Sequence, residues 1–189
     1  MKKLLFTFLF LTLGTAWGGA FEDGRAAFGR FDYVTAAKFY RLAAEQGNAQ
    51  AQVDLGVMLA NGTGIVQDLK EATKWYRLAV AQGYPKAQFE LGNMYFGGGE
   101  VLQDYKEAAR LYRLAAEQGY VDAQSALGMM YAKGQGVTRD YARAHMWWNI
   151  AGAPLTKDRD SIAEKMTPQQ IEKAQEMAKA CQASNFKGC

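Results

Sequence analysis

Apolar residues recur along most of this chain at helical spacing, and the whole pattern then repeats. Ala51-Gln52 returns as Ala87-Gln88 and Ala123-Gln124, Leu55-Gly56 as Leu91-Gly92 and Leu127-Gly128, and Ala72 as Ala108 and Ala144. The interval is 36 residues, from 51 to 87 to 123. A period of that size predicts stacked supersecondary units, none of which buries its apolar face alone. Over positions 51–61, turned by about 100° per residue, the nearly constant positions 51, 52, 55, 56, 58 and 59 share one broad arc. The variable positions 53, 54, 57, 60 and 61 share the opposite arc, so a first helix is predicted that buries the constant face. A second helix opens at Asp68, a good N-cap, with Glu71 placed to answer it, and Asp104 with Glu107 repeats the device. Its predicted apolar stripe is Leu69, Ala72, Tyr76 and Ala79, supported by Trp75 and Leu78. Gly47, Gly83 and Gly119 punctuate the units, where glycine suits the left-handed C-cap position.

Asp32, Ala36, Phe39 and Tyr40 fall where one further unit would place Asp68, Ala72, Trp75 and Tyr76. About four helix pairs are therefore expected, the first with a shortened turn between its helices. Phe21 to Arg30 are expected to form the first helix of that pair. Gly56, Gly92 and Gly128 stand mid-helix, where glycine costs roughly 0.5–1 kcal/mol relative to alanine. A loss taken at the same place in three units predicts a close helix crossing that admits no side chain. Beyond the repeats, Thr156 to Met166 predict one helix. Thr167-Pro168-Gln169-Gln170 starts another, with threonine as N-cap, proline at the first position and glutamine at N3. Ile171, Ala174, Ala178 and Cys181 form its apolar stripe, and the two helices would cap the last exposed face.

The string A-Q-x-x-L-G-x-M-Y, a Gly-x-Gly turn and D-x-x-x-A-x-x-W-Y-x-x-A-A-x-Q-G resembles the Sel1-like repeat, a relative of the tetratricopeptide repeat. The resemblance covers about Asp32 to Ala153; the first unit departs from it, lacking Leu-Gly and the Gly-x-Gly turn. It implies a right-handed superhelix of antiparallel helix pairs that acts as an adaptor for proteins or, in some exported members, envelope polymers. The expected fold class is thus all-α: a right-handed α-solenoid of about four antiparallel helix pairs with a C-terminal helical cap. The expected division is 1–20 signal peptide, repeats at about 21–48, 49–84, 85–120 and 121–153, and a cap with a disulfide tail over 154–189.

The amino terminus has a different pattern. Lys2 and Lys3 precede an apolar run from Leu4 to Leu13 broken only by Thr7 and Thr12, and small residues follow. This reads as a secretory signal peptide with a cut near Gly19 or Phe21. The run is shorter than the roughly 20 apolar residues a bilayer span wants. A periplasmic or secreted protein is expected, in contact with the membrane only through the signal peptide before cleavage. Cys181 and Cys189 are the only cysteines, and in an exported chain they predict a disulfide. Closing that short loop stabilises the tail by about 2–3 kcal/mol in the chain-entropy model.

Charge and chemistry narrow the function further. The 22 basic residues, Lys2 and Lys3 among them, face 19 acidic ones, and no basic cluster gives a nucleic-acid footprint. Gly97-Gly98-Gly99 is a repeated turn without Gly-Lys-Ser/Thr, not a phosphate loop. His145 is the single histidine, and its counterparts Ala37, Thr73 and Ala109 are ordinary helix positions. No catalytic set, metal site or cofactor is expected. Trp75, Tyr76, Tyr112, Trp147 and Trp148 suggest a ligand cage, but their regular placement points to packing between helices.

The variable arc of the first helices carries the functional expectation. Positions freed from packing can differ between units and hold specificity, and the candidates are Val53, Val57, Phe89, Asn93, Phe96, Ser125 and Met129. Phe89, Phe96 and Met129 would anchor a segment of another protein. The expected function is a non-enzymatic protein–protein interaction module, adaptor or regulator, in the cell envelope. The alternatives are a β-lactam-binding or β-lactam-hydrolysing repeat protein, which in similar exported proteins carries cysteine pairs absent from these repeats, and a scaffold for envelope polysaccharide.

Overall fold

The structure is a computed structural model that describes residues 13–152 and 156–189. The apolar run of the expected signal peptide, up to its last residue, lies outside the described residues. Every regular element among the described residues is an α-helix: α1 Leu13–Gly29, α2 Tyr33–Glu45, α3 Ala49–Asn61, α4 Leu69–Ala81, α5 Pro85–Gly97, α6 Tyr105–Ala116, α7 Val121–Lys133, α8 Tyr141–Ala151, α9 Thr156–Ala163 and α10 Pro168–Ala183. They fall into two compact units that divide after Gln82. In the first unit, α1 packs on α2, α2 on α3 and α3 on α4. In the second, the same order runs from α5 to α8, and both α9 and α10 pack on α8.

Local chemistry explains where the second helix of each pair begins. Asp32, Asp68, Asp104 and Asp140 each accept a hydrogen bond from a backbone N–H three residues on, at 3.1, 2.8, 3.1 and 3.0 Å. The expected reply from Glu71 does not occur. Its carboxylate accepts instead from both terminal nitrogens of Arg41 on α2 and from Trp75 Nε1 one turn on in its own helix. The Arg41 guanidinium holds the Glu71 carboxyl below its ordinary range. Glu107 pairs along its own helix with Arg110. Among the described residues, Thr167 and Gln170 complete a reciprocal capping box at the start of α10.

The constant glutamine of each repeat serves a buried polar role. Gln52 Nε2 donates to the Ala44 carbonyl at 3.1 Å and Gln124 Nε2 to the Ala116 carbonyl at 3.2 Å, each time as a second donor to a carbonyl near the end of the preceding helix that also accepts from the backbone N–H of Gly47 or Gly119. Gln52 and Gln88 also accept from Gln82 and Gln118, each at 2.9 Å. A polar residue is therefore tolerated on this buried arc in each repeat because its amide finds a hydrogen-bond partner there.

The mid-helix glycines stand against aromatic rings. A Cβ on Gly56 would lie 2.6 Å from the Tyr76 ring, one on Gly92 2.7 Å from Tyr112, and one on Gly128 2.5 Å from Trp148. In the first pair Gly24 takes the same place, with Tyr40 at 2.7 Å. The first pair thus lacks the Leu-Gly string but keeps the glycine. Its signal is hidden because Gly24 precedes Tyr40 by 16 residues where Gly56 precedes Tyr76 by 20. The shortened turn carries Phe31 at φ 63°, a left-handed conformation in which glycine is the usual residue. The Gly-x-Gly turn has its own physical cause at Gly136: φ is 68°, and a Cβ would fall 2.0 Å from the Tyr105 carbonyl oxygen.

One stripe differs from expectation. Leu69 and Leu78 are exposed, and α4 buries Ala72, Thr73, Trp75, Tyr76 and Ala79 instead. Thr73 is tolerated there because its hydroxyl donates to the Leu69 carbonyl at 2.7 Å. At the carboxy terminus Ala174, Ala178 and Cys181 are buried, and Cys181 is bonded to Cys189. The ring so closed seats Phe186 near Gly119, at the α6–α7 turn.

A candidate docking cleft between two first helices

The second unit holds a cleft of about 400 Å³ lined by α5, α6 and α7. Phe89, Asn93 and Phe96 are spaced i, i+4 and i+7, which puts them on one face of α5. Asp122, Ser125, Ala126 and Met129 have nearly the same spacing on α7, and Tyr112 of α6 completes the lining. Phe89 and Phe96 are half-buried. Phe89 lies 5.6 Å from the Tyr112 ring and 5.4 Å from Tyr120, and Phe96 stands 5.2 Å from Tyr105. Anchored rings with one open face bury apolar area on a partner without first having to be ordered.

Polar groups in the cleft are also held. Tyr112 Oη donates to Asn93 Oδ1 at 2.7 Å, and Asn93 Nδ2 donates to Glu90 Oε2 at 3.3 Å. These two bonds orient the Asn93 amide. Burial pushes the Glu90 carboxyl above its ordinary range, with Asn93 and Lys86 opposing. Burial also raises the Tyr112 phenol, and lifts Tyr120 to about 12 with Asp122 adding to the rise. Both phenols therefore remain neutral donors near neutral pH. Outside the lining, Trp148 Nε1 donates to the Ser125 carbonyl at 3.2 Å.

The structure brings Phe89, Asn93, Phe96, Ser125 and Met129 around one cleft. It does not bring Val53 or Val57 there: both are on α3 in the first unit, and Val57 is partly buried. Val53 must be corrected as a contact residue, because it is 0% exposed. A valine at this position is short enough to be covered completely, whereas the phenylalanine ring at the equivalent position 89 reaches the surface. Sequence reasoning missed Tyr112 as a lining residue, since its placement among the packing aromatics hid a hydroxyl directed at Asn93. The five aromatic residues that suggest a cage in the sequence, Trp75, Tyr76, Tyr112, Trp147 and Trp148, are all buried.

Among the described residues, no three His, Cys, Asp or Glu side chains group as metal ligands. Both cysteines are in the disulfide. His145 is buried in α8 with no hydrogen-bond partner for Nδ1, and its pKa is lowered from 6.5 by burial, then by Arg159, with Asp160 opposing. Because the folded pKa is the lower one, the folded state binds fewer protons than the unfolded state as pH falls through about 6.5. Stability should therefore drop as the pH falls below about 6.5. A midpoint difference between about pH 7.5 and pH 5 that is as large in His145→Gln as in the unaltered protein would contradict this.

The Sel1 repeat profile matches residues 16–48, 49–84, 85–120 and 121–153, which is most of the chain. The chain belongs to the Sel1 repeat family. No curated protein matches it. Among solved structures, the Sel1 repeat protein from Oxalobacter formigenes is 30% identical, with a TM-score of 0.60 over 77% of this chain and 62% of that one. The protein c5321, a protective antigen of uropathogenic Escherichia coli with the same fold, is 28% identical, with a TM-score of 0.57 over 80% of this chain and 42% of its own. This chain spans less than two thirds of either neighbour. Sel1 repeats are in general protein-interaction modules on a non-enzymatic scaffold, and the all-helical architecture of this chain is theirs.

Proposed function

We propose that this Sel1 repeat protein is an exported, non-enzymatic adaptor or regulator of the cell envelope that docks a segment of another protein. The observation that carries the reading is the cleft between α5 and α7, where Phe89, Phe96 and Met129 supply apolar surface and Asn93 a fixed amide. Anchoring rings in a pocket, surrounded by polar positions, is the usual composition of an energetic hot spot. The basic and apolar amino terminus supports export. So does the Cys181–Cys189 disulfide, since such bonds persist in oxidising compartments.

Crosslinking of tagged mature protein in its native envelope tests the proposal. A Phe89→Ala/Phe96→Ala variant should lose a specific protein captured by the original, by a factor of about 30 or more if the rings act as hot spots. Circular dichroism must show the variant folded, because Phe89 also packs on Tyr112 and Tyr120. Equal capture by both proteins would reject this cleft, and the absence of any captured protein would reject the adaptor.

A further inference from the structure

A second recess, of about 360 Å³, lies in the second unit between α8, α10 and the tail that follows α10. Its lining includes Arg143, Met146, Met177, Lys187 and both disulfide cysteines. It shares none of its lining with the Phe89–Met129 cleft.

The charge arrangement beside it is unusual. Arg113 of α6 and Arg143 of α8 donate to the same oxygen, the hydroxyl of buried Tyr131, from Nη2 at 2.8 Å and Nη1 at 3.2 Å. Two guanidinium groups are thus gathered on one hydroxyl oxygen. Arg143 also lies over the Tyr131 ring, 5.5 Å from its centre. Among the described residues, the ion pair made by these two arginines is Arg143 Nε to Asp140 Oδ2 at 3.6 Å. Asp140 is partly engaged elsewhere, since its Oδ1 caps α8. Lys187 adds a third cation, on a segment held by the Cys181–Cys189 bond and by Ser184, whose single hydroxyl proton lies between the Cys181 carbonyl at 2.9 Å and the Lys187 carbonyl at 3.1 Å.

We propose that this recess binds an acidic peptide segment, in which an aspartate or glutamate carboxylate meets Arg143 and Lys187 and a neighbouring apolar side chain lies on Met146 and Met177. The planar guanidinium suits a carboxylate because two N–H groups can meet two oxygens at once. Tyr131 fixes Arg143 by a hydrogen bond and a ring contact, so little side-chain freedom is lost on binding. Methionine walls adapt to apolar side chains of different shape. The positive end and apolar wall of one recess together select a peptide over a bare anion. This site is independent of the docking proposed at Phe89 and Phe96.

The test is to pan random dodecapeptides on the purified mature protein and measure the selected peptides in solution. Peptides carrying Asp or Glu beside Leu, Met or Phe should be enriched. Loss of one charge-assisted contact should weaken them about tenfold or more in Arg143→Gln, and likewise in Lys187→Gln, which leaves the Tyr131 contacts intact. Arg110→Gln, whose guanidinium pairs with Glu107, should bind as the original does. Absence of acidic enrichment would overturn the proposal. So would acidic peptides that bind Lys187→Gln undiminished, or that are lost only from Phe89→Ala/Phe96→Ala, which would assign them to the other cleft.

Discussion

Trp147→Ala is expected to cost about 3–5 kcal/mol, a large effect for a single truncation. Trp147 is 0% exposed and lies within the core cluster shared by α6, α7, α8, α9 and α10. Removing its ring deletes a large buried apolar surface and leaves a cavity that helices on several sides cannot all close. Whole domains are stable by only about 5–15 kcal/mol, so the variant should unfold at much lower denaturant. The prediction separates two views of the aromatic series. A ring in an open ligand cage could be truncated with little effect on stability, whereas a packing ring could not. Trp147→Phe should be milder, because the indole Nε1 is buried without a hydrogen-bond partner and its loss removes an uncompensated polar group. Denaturant midpoints for the three proteins decide the matter, and equal midpoints for Trp147→Ala and the original would refute the packing role.

Gly92→Leu is expected to destabilise by about 1–3 kcal/mol through overpacking. Even its first carbon would lie 2.7 Å from Tyr112 Cε1 and 2.8 Å from Cδ1. The ring has little room to yield, being held by the Tyr112–Asn93 hydrogen bond and by Phe89. Strain at this crossing should therefore reach the candidate docking cleft as well. Partner capture should fall together with the melting temperature. Gly97→Ala, in the same helix but with no atom within 4 Å of the added carbon, is the control and should be neutral or slightly stabilising. An unchanged melting temperature in Gly92→Leu would remove the crossing argument.

Both effects arise from aromatic rings packed between helices, and the pairing of glycine with ring shows the reach of sequence reasoning. The period and the three mid-helix glycines predict a close crossing, but not that its partner is an aromatic side chain. Gly24 is hidden for a physical reason: the first turn is shorter, so equal geometry is reached at a different sequence distance. The candidate cleft is partly legible, since variable positions at helical spacing name Phe89, Asn93 and Phe96. Tyr112 is not, because a residue can bury its ring between helices and still direct its hydroxyl into a cleft.

What the sequence determined by itself is therefore the local and periodic part. Aspartate N-caps, turn glycines, the Thr167–Gln170 capping box and the 36-residue repeat act through groups a few residues apart or through copying of one unit. Tertiary structure decided everything that depends on which neighbour a side chain meets. Glu71 answers Arg41 rather than its own helix start; Leu69 and Leu78 face solvent while Thr73 is buried; Val53 disappears into the core where Phe89 stays partly open. Arg113 and Arg143 converge on Tyr131 from helices whose contact no local pattern announces. Helix formation is set by nearby dihedral and hydrogen-bond preferences, whereas burial and charge partners are set by packing between residues distant in the chain.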